Sequence, residues 1–121
     1  MASESNAFDD AIGKWEVQLR KGVLELVVLS SLADKEQYGF ELIVGIANRA
    51  SLDVPEGTLY PLLLRLSKDA LVASRLAEGE GGAPRKYYTL TPQGRLMLDA
   101  MTRSWRKLSA SVQHVIAGAD A

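Results

Sequence analysis

The sequence predicts a mainly α-helical fold with one small β-hairpin and a long C-terminal helix. Three stretches in the first 70 residues carry apolar side chains at helical spacing. Two short segments follow in which apolar and polar residues alternate, and they lie on either side of a loop with three glycines and one proline. The final stretch repeats apolar residues at intervals of three and four. A chain of 121 residues accommodates one such domain.

The first helix is predicted from Trp15 to Leu32, and it is apolar on more than one face. This distribution indicates burial against both its own domain and a second subunit. Residues 1–14 are small and polar, and we expect them to be frayed or weakly helical. The main domain is predicted over residues 15–90.

The next two helices are separated by only a few residues, as in a helix pair. One is predicted from Tyr38 to Ala50, and the other begins between Pro55 and Thr58 and ends at Asp69. Pro61 is compatible with a straight helix only near the first turn, because it lacks an N–H group. The apolar positions of the third helix are Leu59, Leu62, Leu63 and Leu66.

The hairpin is predicted from strands over 71–77 and 85–90, joined by the flexible loop 78–84. Successive strand residues point to opposite faces of a sheet. We therefore expect one of Tyr87 and Tyr88 in the core and the other outside it.

The last helix is predicted over 91–116, with Thr91 as N-cap and Pro92 at its first position, followed by a tail at 117–121. It would be roughly 37 Å long, which is too long for its own domain to cover. A second copy is the expected partner, and folding back onto the domain is the alternative. Its apolar repeat, the C-terminal stripe, predicts a coiled-coil-like dimer interface. The stripe consists of Leu98, Met101, Trp105, Leu108, Val112 and Val115.

Composition excludes several functional classes. No cysteine and one histidine argue against disulfides, thiolate chemistry and multi-histidine metal sites. We find no phosphate-binding loop and no catalytic triad, so we expect no enzyme activity, cofactor or metal. No apolar run is long enough for a membrane span, and no basic leader is evident, so a cytoplasmic location without membrane contact is expected.

The net charge of −1 is unevenly distributed along the chain. Residues 1–53 hold five basic and nine acidic residues, whereas residues 54–121 hold nine basic and six acidic residues. Local patches determine the field that a partner meets at close range, because exposed charges are screened within about 10 Å. The acidic overall balance therefore leaves nucleic-acid binding open.

The order helix, helix, helix, strand, loop, strand is that of a winged helix-turn-helix, in which the third helix enters the DNA major groove. The segments YGFELI, VPEGTLYPLLLRLSKDALVASR and GGAPRKYYTLTPQG resemble the PadR family of transcriptional regulators. The resemblance covers roughly residues 19–108. It implies a homodimer that binds double-stranded operator DNA and is usually a repressor. Some members release DNA on binding phenolic or other planar aromatic compounds.

The candidate DNA contacts lie on the third helix, at the wing and before the second helix. Hydroxyl groups at the head of the third helix suit phosphates and base edges, and basic residues further along suit phosphates. Of the two adjacent basic residues in the wing, only one is expected to face DNA. The alternative interpretation is capping, packing and ordinary solvated charge. The predicted DNA-binding residues are Tyr38, Thr58, Tyr60, Pro61, Arg65, Lys68, Arg85 and Lys86.

The sequence departs from the family pattern at several positions. Leu64 stands where a basic or polar residue is more usual, and Ala70 stands where glycine ends the helix. A left-handed conformation at Ala70 would cost about 1 kcal/mol. Glu78 and Glu80 in the wing repel phosphate. Together these features predict modest, salt-sensitive DNA affinity.

Trp105 is the candidate contact for an effector. The resemblance aligns it with a tryptophan that sandwiches flat ligands across the dimer axis in a multidrug-binding member. Leu26 and Ser30 fall near the corresponding pocket. The alternative is that Trp105 fills the dimer core.

Two other functional classes remain open. A winged helix can serve as a protein-docking module, which would show no salt-dependent DNA binding. The second class is a ligand-binding or enzymatic role in the dimer cavity, although no catalytic residues indicate turnover of a ligand.

Overall fold

Four α-helices and a three-stranded antiparallel sheet make up the part of the chain that the structure describes. This computed structural model describes residues 2–120, with side chains at 6–79 and 81–119. The fold confirms the predicted mainly helical architecture with a small β-sheet. The elements are α1 (Ala2–Leu32), β1 (Gln37–Tyr38), α2 (Gly39–Ala50), α3 (Glu56–Lys68), β2 (Val72–Glu78), a 3₁₀ turn (Glu80–Gly82), β3 (Pro84–Leu90) and α4 (Pro92–Asp120).

Both terminal helices are longer than predicted. Helix α1 begins at Ala2 instead of Trp15, so residues 2–14 continue the helix instead of forming a frayed segment. Helix α4 continues to Asp120, so 117–119 belong to the helix and not to a tail. Neither extension contains proline, and both contain alanine, the residue with the highest helix propensity. The predicted segments also included Met1 and Ala121, which lie outside the described residues.

A short strand, β1, precedes α2, where the sequence had predicted the start of a helix. Tyr38 therefore lies in the sheet, and α2 begins one residue later. Strand β1 adds to the outer edge of the hairpin, with Gln37 opposite Tyr88 and Tyr38 opposite Tyr87. The buried Gln37 side chain donates its Nε2 hydrogen to the carbonyl oxygen of Ser31 at 2.6 Å. A two-residue strand is too short to produce a detectable alternation in the sequence.

The hairpin has the predicted form. Strands β2 and β3 pair from Val72 opposite Leu90 to Glu78 opposite Pro84. Tyr88 is buried in the core with 7% exposure, and Tyr87 lies on the outer face of the sheet, as the alternation predicted.

The core lies between the helices and the inner face of the sheet. Leu98 belongs to it, with 6% exposure, although we had predicted it in the dimer interface. The first turns of α4 lie against α1 and β3, so Leu98 is covered within its own protomer. The core consists of Val28, Leu29, Leu32, Leu42, Ile46, Val54, Leu59, Leu63, Leu66, Leu71, Val72, Tyr88 and Leu98.

A compact junction fixes α3 relative to α4. Ala70 adopts the expected left-handed conformation, with φ of 61°. The Thr91 hydroxyl donates to the Ala70 carbonyl oxygen at 2.6 Å and accepts the Gly94 N–H at 2.9 Å, which confirms Thr91 as the N-cap. Gly94 packs so closely against the Leu71 carbonyl oxygen that no Cβ atom fits there.

Candidate nucleic-acid interface

Helix α3 buries one face and exposes the opposite one. Leu59, Leu63 and Leu66 recur at helical spacing on the buried face and are fully covered. The opposite face is solvent-exposed, and α3 continues through Pro61 at its sixth position. We call this surface the α3 outer face, and it is formed by Gly57, Pro61, Leu64 and Lys68.

The polar residues on the flanks of α3 contact neighbouring helices. Tyr60 occupies the space where a side chain at Gly39 would lie, so its ring is held against the start of α2. The neighbouring Tyr88 is buried, and burial raises the pKa of that phenol, with a smaller contribution from Tyr60. On the other flank, Arg65 Nη2 donates to Glu25 Oε2 of α1 at 3.3 Å. The side chains of Tyr60 and Arg65, both predicted to contact DNA, are therefore held in place by contacts within the protein.

Two basic residues of α1 lie beside the head of α3. Arg20 and Lys21 line a cavity of about 220 Å³ together with Thr58, Pro55 and Asp53. Sequence reasoning did not select them, because they precede Thr58 by more than 35 residues. The available signal was their position one helical turn before Leu24, which packs against the core, although Arg20 and Lys21 are themselves exposed.

The outer face of the sheet carries a linked group of five side chains, the sheet cluster: Glu36, Tyr38, Arg75, Arg85 and Tyr87. The Arg85 guanidinium carbon lies 4.4 Å from the centre of the Tyr38 ring. The Tyr38 and Tyr87 rings meet edge to face at 5.5 Å, and Arg75 lies 5.2 Å from the centre of Tyr87. Arg75 Nε also donates to Glu36 Oε2 at 2.7 Å.

The sheet cluster determines which wing charge can reach a partner. Hydrogen bonds from Arg75 hold the pKa of the Glu36 carboxyl below its ordinary range. Arg85 is half-buried against Tyr38, whereas Lys86 is exposed on the opposite face and has no ion pair among the described side chains. The wing glutamate Glu78 is exposed, and the side chain of Glu80 lies outside the described residues.

The effector candidates separate into two cavities. Trp105 and Leu26 share a cavity of about 370 Å³ between α1 and α4, together with Met101 and Leu108. Ser30 lies one helical turn further along α1, in a different cavity of about 330 Å³ that faces α2. Leu26 lines both cavities, so the structure brings it together with Trp105 in one and with Ser30 in the other, and it leaves Trp105 and Ser30 apart.

Two long helices present apolar surface that the single chain does not cover. Beyond Leu98 and the partly buried Met101, the C-terminal stripe is exposed, and Trp105 retains 42% of its accessible surface. Helix α1 carries a second exposed set with intervals of four and three residues. Its members are Phe8, Ile12, Trp15 and Leu19.

Among the described residues, no group of acidic or histidine side chains could hold a metal ion. Across residues 2–120, none of the helices is both long and apolar enough to cross a membrane.

The helix pair α2 and α3, followed by the hairpin, defines a winged helix-turn-helix protein of the DNA-binding class. The family model for the "Transcriptional regulator PadR-like family" matches residues 28–100. The chain therefore belongs to the PadR-like family of transcriptional regulators. Its members are transcriptional regulators, which implies DNA binding.

Solved structures and a curated relative agree with this assignment. The fold resembles a PadR family transcriptional regulator from Eggerthella lenta, with 34% identity, a TM-score of 0.83 and coverage of 91% of this chain and 96% of that one. A PadR-like regulator from Bacillus cereus is 36% identical, with a TM-score of 0.74 and coverage of 82% and 96%. Transcriptional regulator Rv3488 of Mycobacterium tuberculosis is 34% identical over 101 residues, covering 84% of this chain and 90% of the relative.

Proposed function

We propose that the protein is a dimeric cytoplasmic repressor that binds a pseudo-palindromic operator through α3 and the wing. The observation that carries this proposal is the α3 outer face, which is exposed while the opposite face of the helix is anchored in the core through Leu59, Leu63 and Leu66. An exposed helix held rigidly at this position can enter the major groove. The alternative, a protein-docking module, draws support from the exposed Leu64.

Basic residues around α3 provide the contacts to phosphate. Lys68 at the end of α3 and Lys86 on the wing are exposed, and Arg20 and Lys21 lie beside the head of the helix. Lys68 is part of the α3 outer face, and Arg20 and Lys21 lie next to it, as expected for charges that orient a helix on the DNA backbone. Arg65 has its position set by Glu25, which would direct it toward a flanking phosphate.

A second copy of the chain is the proposed cover for the C-terminal stripe beyond Leu98. The exposed positions repeat every 3.5 residues, which suits packing of two long helices. A two-fold dimer would place the two α3 helices on one face of DNA, with half-site centres about one helical turn apart.

The cavity between α1 and α4 is the proposed effector site. It is lined by the Trp105 ring and the apolar Leu26 and Met101 side chains, which suit a planar aromatic compound. A ligand bound there would change how α1 and α4 pack, and so the separation of the two α3 helices. Release of the operator would then follow from a shift in population between two dimer arrangements.

The test is a mobility-shift titration of the purified protein with DNA upstream of its own gene and with duplexes selected from a random pool. We expect a selective shift that weakens steeply with salt. Lys68→Gln should lower the affinity and reduce the slope of log affinity against log salt by about 1.8 for two subunits.

The matched control is Lys107→Gln, because Lys107 is an exposed residue of α4 away from α3. This variant should bind as the unmodified protein does. If neither DNA source yields selective binding, the operator proposal is wrong and the docking alternative stands.

A further inference from the structure

We propose that the α3 outer face reads thymine methyl groups and that Leu64 is its specificity-determining residue. This inference rests on the proposed operator binding and adds the chemistry of base recognition to it. The argument comes from where the side chains of α3 are held.

The polar side chains that could read base edges are directed away from the centre of the exposed face. The Tyr60 ring packs against Gly39 at the start of α2, and the Arg65 guanidinium pairs with Glu25 of α1. Thr58 lines the cavity beside α1, off the centre of the face. Tyr60 and Arg65 therefore contribute to the two edges of the face, near the DNA backbone. They leave its centre to other residues.

Leu64 lies at that centre. It is 57% exposed, one turn after Pro61 and one turn before Lys68. Gly57, Pro61 and Leu64 carry no side-chain donor or acceptor, so only Lys68, at one end of the face, can hydrogen-bond a base or phosphate.

The major groove offers one apolar feature to such a surface, the C5-methyl group of thymine. A leucine placed against the polar edge of a guanine or cytosine would instead leave donors or acceptors without partners. The geometry of the face therefore favours thymine at the half-site position nearest to Leu64. Specificity at that position would depend on a single methyl group.

The test replaces individual thymines of the selected operator by uracil, which keeps every hydrogen bond and removes only the methyl group. We expect one or two positions per half-site at which the substitution weakens binding roughly fourfold per methyl group. In the Leu64→Ala protein, the thymine and uracil duplexes should bind equally at those positions. Leu64 is exposed, so this variant should keep its fold, which circular dichroism checks.

Leu96→Ala is the matched control, because Leu96 is also an exposed leucine, with 71% exposure, and it lies on α4 instead of α3. It should keep the full preference for thymine over uracil. A selected operator that binds equally at every uracil position would overturn this inference and leave operator binding intact. Methyl dependence that persists in Leu64→Ala would also overturn it. Failure to select any operator would overturn both proposals.

Discussion

At the scale of single residues, Ala70 in the junction after α3 lowers the stability of the fold. Ala70 holds a left-handed conformation with φ of 61° so that the chain can turn from α3 into β2. A side chain with a Cβ atom adopts this conformation at a cost of about 1–2 kcal/mol. Glycine would adopt it without that strain.

Ala70→Gly should therefore raise the free energy of unfolding by about 0.5–1 kcal/mol. The strain relieved at Ala70 exceeds the entropy that glycine adds to the unfolded chain. Urea denaturation at a fixed protein concentration measures the change.

The control is Ala110→Gly, the same substitution at an exposed position within α4. There glycine should lower the free energy of unfolding by about 0.5–1 kcal/mol. Equal effects of the two substitutions would contradict the assignment of strain to Ala70.

Features that depend on neighbours in sequence could be predicted, and features that depend on distant neighbours could not. The cap at Thr91 follows from a run of adjacent residues. The pairing of Arg65 with Glu25 joins residues separated by 40 positions, and no local pattern indicates it. For the same reason, Arg20 and Lys21 were missed as neighbours of Thr58.

At the scale of elements, the sheet cluster connects the wing to the start of α2. Arg85 stacks on Tyr38, and the pair of Arg75 with Glu36 links β2 to the segment before β1. These contacts hold the wing in a fixed direction relative to α2. The hairpin and the placement of Tyr87 and Tyr88 on opposite faces followed from alternation, but β1 did not, since two residues show no period.

Replacing Arg85 and Lys86 one at a time should distinguish a residue that supports the wing from one that contacts DNA. Arg85→Ala removes a stacking contact worth about 0.5–1 kcal/mol and should lower the free energy of unfolding by that amount. Lys86→Ala should leave stability unchanged and reduce the salt slope of operator binding by about 1.8. Thermal unfolding and mobility shift at several salt concentrations measure the two effects.

A Lys86→Ala protein with the unmodified salt slope would show that this side of the wing does not touch phosphate. In that case Arg85 and the outer face of the sheet would become the candidates for the wing contact.

At the scale of the whole molecule, α1 and α4 extend beyond the core and carry exposed apolar residues. The repeat in α4 was visible in the sequence as strict intervals of three and four. Its division between the core and the proposed interface was not visible, because periodicity does not show where the surface of the domain ends. Leu98 and Trp105 share the repeat, yet one is buried in the protomer and the other is exposed.

Val112→Glu should weaken dimerisation roughly a hundredfold or more, because each subunit would bring an unpaired carboxylate into an apolar interface. Sedimentation equilibrium measures the change. Ala110→Glu introduces the same charge on the opposite side of α4 and should leave the dimer intact. If the two variants assemble equally, the C-terminal stripe is not the interface.

The path of α4 from the core to its exposed end also has a consequence inside the cell. One uninterrupted helix contributes Leu98 to the DNA-binding domain and Val115 to the surface proposed for the second copy. Dilution that separates two copies would uncover the outer part of α4 and leave Leu98 in the core of its own protomer. The number of molecules per cell would set how much regulator is paired, so operator occupancy would rise more steeply than expression.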